Sequence, residues 1–178
     1  MLEWVNLLPA FLLIFIRVLA FFTVMPIFSY RTIPNTLKIG LALYLTWIMI
    51  FTIEAPVVVM DGTYFLLIIK EVMVGLLVGL VAMIMLYAIQ IAGRFIDMMM
   101  GFMIANVMDP ATGTQSPLIG SYLYMFALLL LLATDGHHLL IDGIYYSYQF
   151  VPLEQLYLPL GNENVVQFIT KTFNTMFI

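Results

Sequence analysis

His137 and His138, set between Asp135 and Asp142 in "TDGHHLLID", are the only group in this sequence that hints at chemistry. If that stretch is helical, Asp135, His138 and Asp142 share a face, and two carboxylates with an imidazole could ligate a divalent metal. The same residues also read as a turn with Asp135 capping the next helix, and nothing nearby supplies a further ligand. We take the turn reading. No phosphate-binding glycine loop, HExxH or GxSxG is present. The lack of cysteine excludes thiolate metal sites, disulfides and thiol nucleophiles. The sequence therefore predicts no catalytic residue, no cofactor and no metal.

The remaining charges matter because of where they stand. Arg17 lies near the middle of an apolar segment running from about Val5 to Phe28. A guanidinium at bilayer depth costs from ~3 to over 10 kcal/mol, so it needs water or a partner. It either snorkels or pairs inside a bundle, or it faces a polar interior or another subunit. Within the chain Glu71 and Asp97 are the candidate partners. Further on, "GLLVG" places Gly75 and Gly79 on one helical face with Ala82, a small-residue pattern that predicts close helix packing. Gln90, Arg94, Asp97, Gly101 and Ala105 step by four, three, four and four, so a helix reaching that far would carry one polar and small stripe. There Gly101 would serve packing, and Arg94 and Asp97 would pair at i,i+3. That pair is a membrane-edge salt bridge, or else part of a subunit contact or pore-facing stripe. Met98, Met99, Met100, Met103 and Met108 crowd the same region. Flexible thioether chains fill irregular gaps, so these are core filler or a deformable seal.

The elements that must position these residues are membrane helices. Of the 178 residues, 64% are hydrophobic and 9% charged, with a mean hydropathy of +1.10. Soluble domains carry about a quarter charged residues. Apolar segments recur at Val5–Phe28, Leu37–Ile53, Tyr64–Ala92, Leu118–Thr134, Leu139–Val151 and from Val165 onward, against roughly 20 residues needed to span a bilayer. This predicts a single all-α integral membrane domain over residues 1–178. The N-terminus lacks a basic start and a cleavage site, so it reads as a retained span. The last segment is still in progress at Ile178, as expected of the N-terminal part of a longer protein. The net charge of −4 is scattered and no basic patch suggests nucleic acid or anionic lipid. Arg31 and Lys38 in the first loop, against Glu54 and Asp61 in the next, predict a cytoplasmic first loop and an outer N-terminus.

One polar stretch interrupts this pattern, "NVMDPATGTQSP" from Asn106 to Pro117. Pro110 disfavours helix at Asp109 and Gly113 permits a tight reversal, so it should be a loop. Non-helical backbone at membrane depth is tolerated only where protein buries it or a water-filled cavity solvates it.

In order, these features resemble the FliR family of flagellar type III export-gate proteins, whose injectisome relatives are called SctT. The resemblance is carried by "RVLAFFTVMPIFSYRTIPNTLKIGLAL", by "AGRFIDMMMGFMIANVMDP" and by "DGHHLLIDGIYYSYQFVP", and it covers essentially the whole chain. It implies bent helical hairpins and broken helices packed in a hetero-oligomeric gate in the bacterial inner membrane, within the flagellar basal body. The implied partners are FliP-like and FliQ-like subunits, FlhB-like and FlhA-like components, and exported unfolded flagellar proteins. Membrane lipid surrounds the assembly, a separate ATPase helps deliver substrates, and no nucleic acid is involved. The resemblance also implies that Asn106, Val107, Met108, Asp109, Pro110, Ala111, Thr112, Gly113, Thr114, Gln115, Ser116 and Pro117 plug the channel. Met98, Met99, Met100 and Met103 would then seal around that plug. An injectisome gate subunit is the alternative, and a stand-alone transporter the more distant one; the latter would favour internal repeats and buried acid pairs, and neither is found. Family members continue well past residue 178, with further apolar helices.

Overall fold

The computed structural model describes residues 2–28, 33–53, 61–101, 117–153 and 170. Five helices account for nearly all of them: α1 (Leu2–Val24), α2 (Asn35–Thr52), α3 (Gly62–Met99), α4 (Leu118–Ala133) and α5 (Gly136–Phe150). Among the described residues there is no strand. Backbone N–H and C=O groups in hydrocarbon must be paired within the segment, which a helix alone achieves without a closed barrel. Three of the helices are long and apolar enough to cross a membrane: α1 over Leu7–Val24, α2, and α3. The 38 residues of α3 rise about 57 Å, nearly twice a hydrocarbon core of roughly 30 Å. By contrast, α4 and α5 have 16 and 15 residues, each short for a span.

The chain divides into two compact units, Met1–Val81 with His138–Ile178, and Ala82–His137. In the first, α1 is the central helix. Leu13, Ile14, Val18 and Phe21 are fully buried, and half of Leu7–Val24 is enclosed by the rest of the chain. The α2 helix packs on α1 through Ala42, Thr46 and Met49, spaced four and three apart as one helical face requires. Its other face leaves Tyr44, Trp47 and Phe51 exposed. The first half of α3 lies against α1 on Gly75 and Gly79. A Cβ on Gly75 would collide with the Arg17 carbonyl oxygen, and one on Gly79 would come within 2.9 Å of the Val24 Cβ.

In the second unit the end of α3 and the start of α4 form an antiparallel pair. Gly93 faces Gly120 so closely that a Cβ on Gly93 would strike the Gly120 Cα. Four residues further along α4, the Tyr124 ring lies 5.5 Å from that of Tyr87. The α3 helix ends at Met99, and Gly101 just beyond it has a φ of +74°, the left-handed conformation common past a helix C-terminus. This corrects the packing expectation for Gly101: among the described residues no atom lies within 4 Å of where its Cβ would be. Its left-handed backbone is one that glycine adopts without steric cost.

Asp135 lies in the turn between α4 and α5. With φ of +56° it occupies the left-handed position just after α4, and its N–H reaches the Leu132 carbonyl at 3.2 Å. That left-handed position is common just past a helix end, so Asp135 closes α4 immediately before α5 begins at Gly136.

Candidate functional site

Arg17 is fully buried at the heart of the first unit. Its Nε and one terminal nitrogen donate to the two Glu71 carboxylate oxygens at 2.5 and 2.9 Å, a two-point fork. The same terminal nitrogen donates to the Val151 carbonyl at 2.9 Å, and the other to Ser147 Oγ at 3.0 Å. The guanidinium also lies 3.8 Å from the centre of the Tyr148 ring, a cation–π contact. Ser147, one turn before Val151, passes its own hydroxyl hydrogen to the Ile144 carbonyl at 2.6 Å.

Lys70 completes the cluster. Its ammonium group lies 2.9 Å from Glu71 Oε1, the oxygen that also accepts from the Arg17 terminal nitrogen, and donates to the carbonyls of Pro152 and Leu153 at 2.8 and 3.0 Å. One carboxylate thus faces two cations. The remaining acceptors are the backbone carbonyls of Val151, Pro152 and Leu153, just past the end of α5, where Pro152 cannot continue the helix. The result ties α1, α3 and the end of α5 at one buried point.

Glu71 can reach Arg17 because Gly75, one turn later, lets the two backbones approach. A larger residue there would push α3 off α1 and stretch the fork.

The second unit holds Asp97, nearly fully buried at the end of α3. Its two oxygens accept the backbone N–H groups of Ile119 and Gly120 at 3.1 and 3.2 Å. These are among the first free donors of α4, whose cap residue, Pro117, makes no side-chain capping bond. A carboxylate on a neighbouring helix supplies the cap instead.

The structure therefore brings Arg17 and Glu71 together and sets Asp97 in the other unit. The expected Arg94–Asp97 pair is corrected: no such ion pair occurs among the described residues, because both Asp97 oxygens face the α4 start and Arg94 is exposed. Met98, Met99 and Met100 are exposed at the end of α3, Met99 at 87%. His137 and His138 lie in the first turn of α5. Met103 and Asn106–Ser116 fall outside the described residues, whereas Pro117 directly precedes α4.

Sequence reasoning missed Lys70 as a member of the cluster, Ser147 as a ligand of Arg17, and the Gly93–Gly120 crossing. Lys70 had a signal, since it adjoins Glu71 inside an apolar run. The carbonyl acceptors had none beyond the helix-ending Pro152.

Long apolar helices with internally paired charges define a multi-pass α-helical membrane protein. Comparison with known proteins carries this further. The family model "Bacterial export proteins, family 1" matches residues 8–178, and this chain belongs to that family. It is 51% identical over 175 residues to the flagellar biosynthetic protein FliR of Bacillus subtilis (strain 168), covering 98% of this chain and 68% of that one. To FliR of Escherichia coli (strain K12) it is 29% identical over 177 residues, covering 99% and 67%. Yop proteins translocation protein T of Yersinia pestis is 26% identical over 168 residues, covering 91% and 63%.

Proposed function

We propose that this chain is a subunit of the flagellar type III protein-export gate, helping to form and close the channel through which flagellar proteins cross the bacterial inner membrane. The observation that carries this is the 51% identity to a flagellar biosynthetic protein along 98% of the chain. The structure supports a role within an assembly. Trp47, Phe51, Phe65, Ile84, Tyr122 and Phe126 are each more than half exposed, while the charged residues of the core are paired internally.

Its partners are FliP-like and FliQ-like subunits, with FlhB-like and FlhA-like components alongside. Its cargo is unfolded flagellar protein. It carries out no catalysis; energy for export comes from elsewhere. Residues 106–117 act as the plug, with Met98, Met99, Met100 and Met103 as a compressible seal around them. Support for this comes from the polarity and Pro/Gly punctuation of the stretch and from the exposed methionines before it. The injectisome reading rests on the likeness to Yop proteins translocation protein T, at about half the identity of the flagellar match.

Native mass spectrometry of the detergent-extracted protein, co-expressed with its neighbouring genes, tests the assignment. A hetero-assembly holding one or a few copies of this chain is expected. A lone monomer or homodimer would favour a stand-alone transporter and defeat the proposal.

A further inference from the structure

We infer that the outer face of α3 from Ile84 to Met98 is a docking seam for an apolar helix of a different subunit, one that sets a carboxylate against Arg94. This rests on the gate function proposed above and names the chemistry of one of its contacts. The seam lies wholly within the second unit. Ile84, Tyr87, Ile91, Arg94 and Met98 step by three, four, three and four, and all five are exposed. That is the 3.5-residue repeat that keeps one row of side chains facing a partner helix crossing at about 20°. It holds for roughly four turns.

Charge decides what covers this row. Four of its members are apolar or aromatic, and lipid chains alone could cover those. Arg94 is different, because a guanidinium on an apolar face is too costly to leave unpartnered away from water. Its own chain does not answer it. Asp97, three residues on, gives its two oxygens to the Ile119 and Gly120 N–H groups, and Arg94 makes no ion pair among the described residues. A second copy of the chain would not answer it either, since this row carries no acid in whichever direction the copy runs. The complement is therefore a helix of another protein, apolar along its length, with one Asp or Glu where Arg94 meets it. Guanidinium and carboxylate pair in a planar two-point fork, which fixes direction as well as distance. A single charged position in an apolar seam also sets register, because only one alignment satisfies it.

The test uses the complete co-expressed complex in membranes. The chain has no cysteine, so Ile91→Cys gives a single point of attachment for a cross-linker. A cross-link from it to one apolar helix of a different subunit is expected, with an Asp or Glu within a turn of the linked residue. Arg94→Glu should lower recovery of the hetero-complex about tenfold, and Arg94→Lys less, because a repulsion then replaces a close charge pair. Changing the facing acid to Arg should restore the Arg94→Glu complex. A role confined to folding α3 would not be restored by a change in another subunit. Should Arg94→Glu not be recovered at all, that paired exchange decides: rescue upholds the inference and its absence overturns it. Wild-type recovery of Arg94→Glu overturns it as well. So do cross-links only to a second copy of this chain, only to lipid, or to a helix without an acid at the facing turn. The two proposals separate on the unmodified complex. If the wild-type hetero-complex forms and Arg94→Glu matches it, this inference alone falls; if no hetero-complex forms, the gate assignment falls and takes this one with it.

Discussion

Arg17 shows how one residue can be both costly and indispensable. Taking a guanidinium and a carboxylate out of water is offset only when every donor finds good geometry, and removing one partner strands the other. Arg17→Ala should therefore cost about 3–5 kcal/mol, since Glu71 would be left with Lys70 alone. Arg17→Lys should cost less: it keeps the charge but loses the planar fork that reaches Glu71, Ser147 and Val151 together. Complex recovery and thermal midpoint in detergent give the ranking, wild type above Lys above Ala. Equal, near-wild-type values for both would mean that the cluster adds nothing to the assembled state. His137 and His138 present the contrary case. They lie in the first turn of α5, which we read as a turn and helix start, so replacing either by Asn or Gln should leave secretion largely intact. Stoichiometric Zn²⁺ in the wild type, lost in those variants, would overturn that expectation.

At the scale of elements, glycines with the same side chain should respond in opposite ways. Gly75→Ala sets a methyl group against the Arg17 carbonyl, a backbone atom that cannot swing aside, so α3 must move off α1. Overpacking of this kind costs roughly 1–3 kcal/mol. Gly40 lies in α2 with no described atom within 4 Å of its missing Cβ. Gly40→Ala should then be neutral or stabilising by up to about 1 kcal/mol, through helix propensity. Thermal unfolding of the two variants side by side tests this, and an equal loss in both would refute the packing argument. The proposed plug is also tested at this scale. Shortening Pro110 to Ser116 should preserve assembly and make expressing cells leak small ions. Replacing Met98, Met99 and Met100 by Ala should add to the leak, whereas Leu, which nearly conserves volume, should change it less. A shortened variant that assembles and stays tight would reduce the stretch to a connector.

For the whole molecule, the distribution of apolar surface predicts dependence on neighbours. Only a small share of α2 is covered by the rest of the chain, and its exposed face is aromatic. Lipid can cover such a face, but large aromatic side chains are also what buried helix contacts use best. Recovery of this chain from membranes should rise severalfold when the FliP-like and FliQ-like subunits proposed as its partners are co-expressed, and Trp47→Ala with Phe51→Ala should weaken that gain without unfolding α1. Recovery independent of partners, measured by quantitative blotting, would argue for a self-sufficient membrane protein.

Composition alone determined that this is a helical membrane protein, because a chain this apolar belongs in hydrocarbon, where helices pair their own backbone. Spacing alone located the Gly75–Gly79 face, since helical periodicity is a local property. The cost of a buried guanidinium likewise singled out Arg17 and offered Glu71 as a partner on residue chemistry alone. What local reasoning could not decide was which acid would answer which charge. Glu71 and Asp97 were equally available to Arg17, and Arg94 was the natural neighbour of Asp97 along the helix. Tertiary structure gave Arg17 to Glu71 because Gly75 brings those helices together. It turned Asp97 to the start of α4, because Pro117 makes no capping bond there and Gly93 meets Gly120. It also enlisted the carbonyls of Val151, Pro152 and Leu153, acceptors present in every residue and therefore invisible in a sequence until the fold aims them.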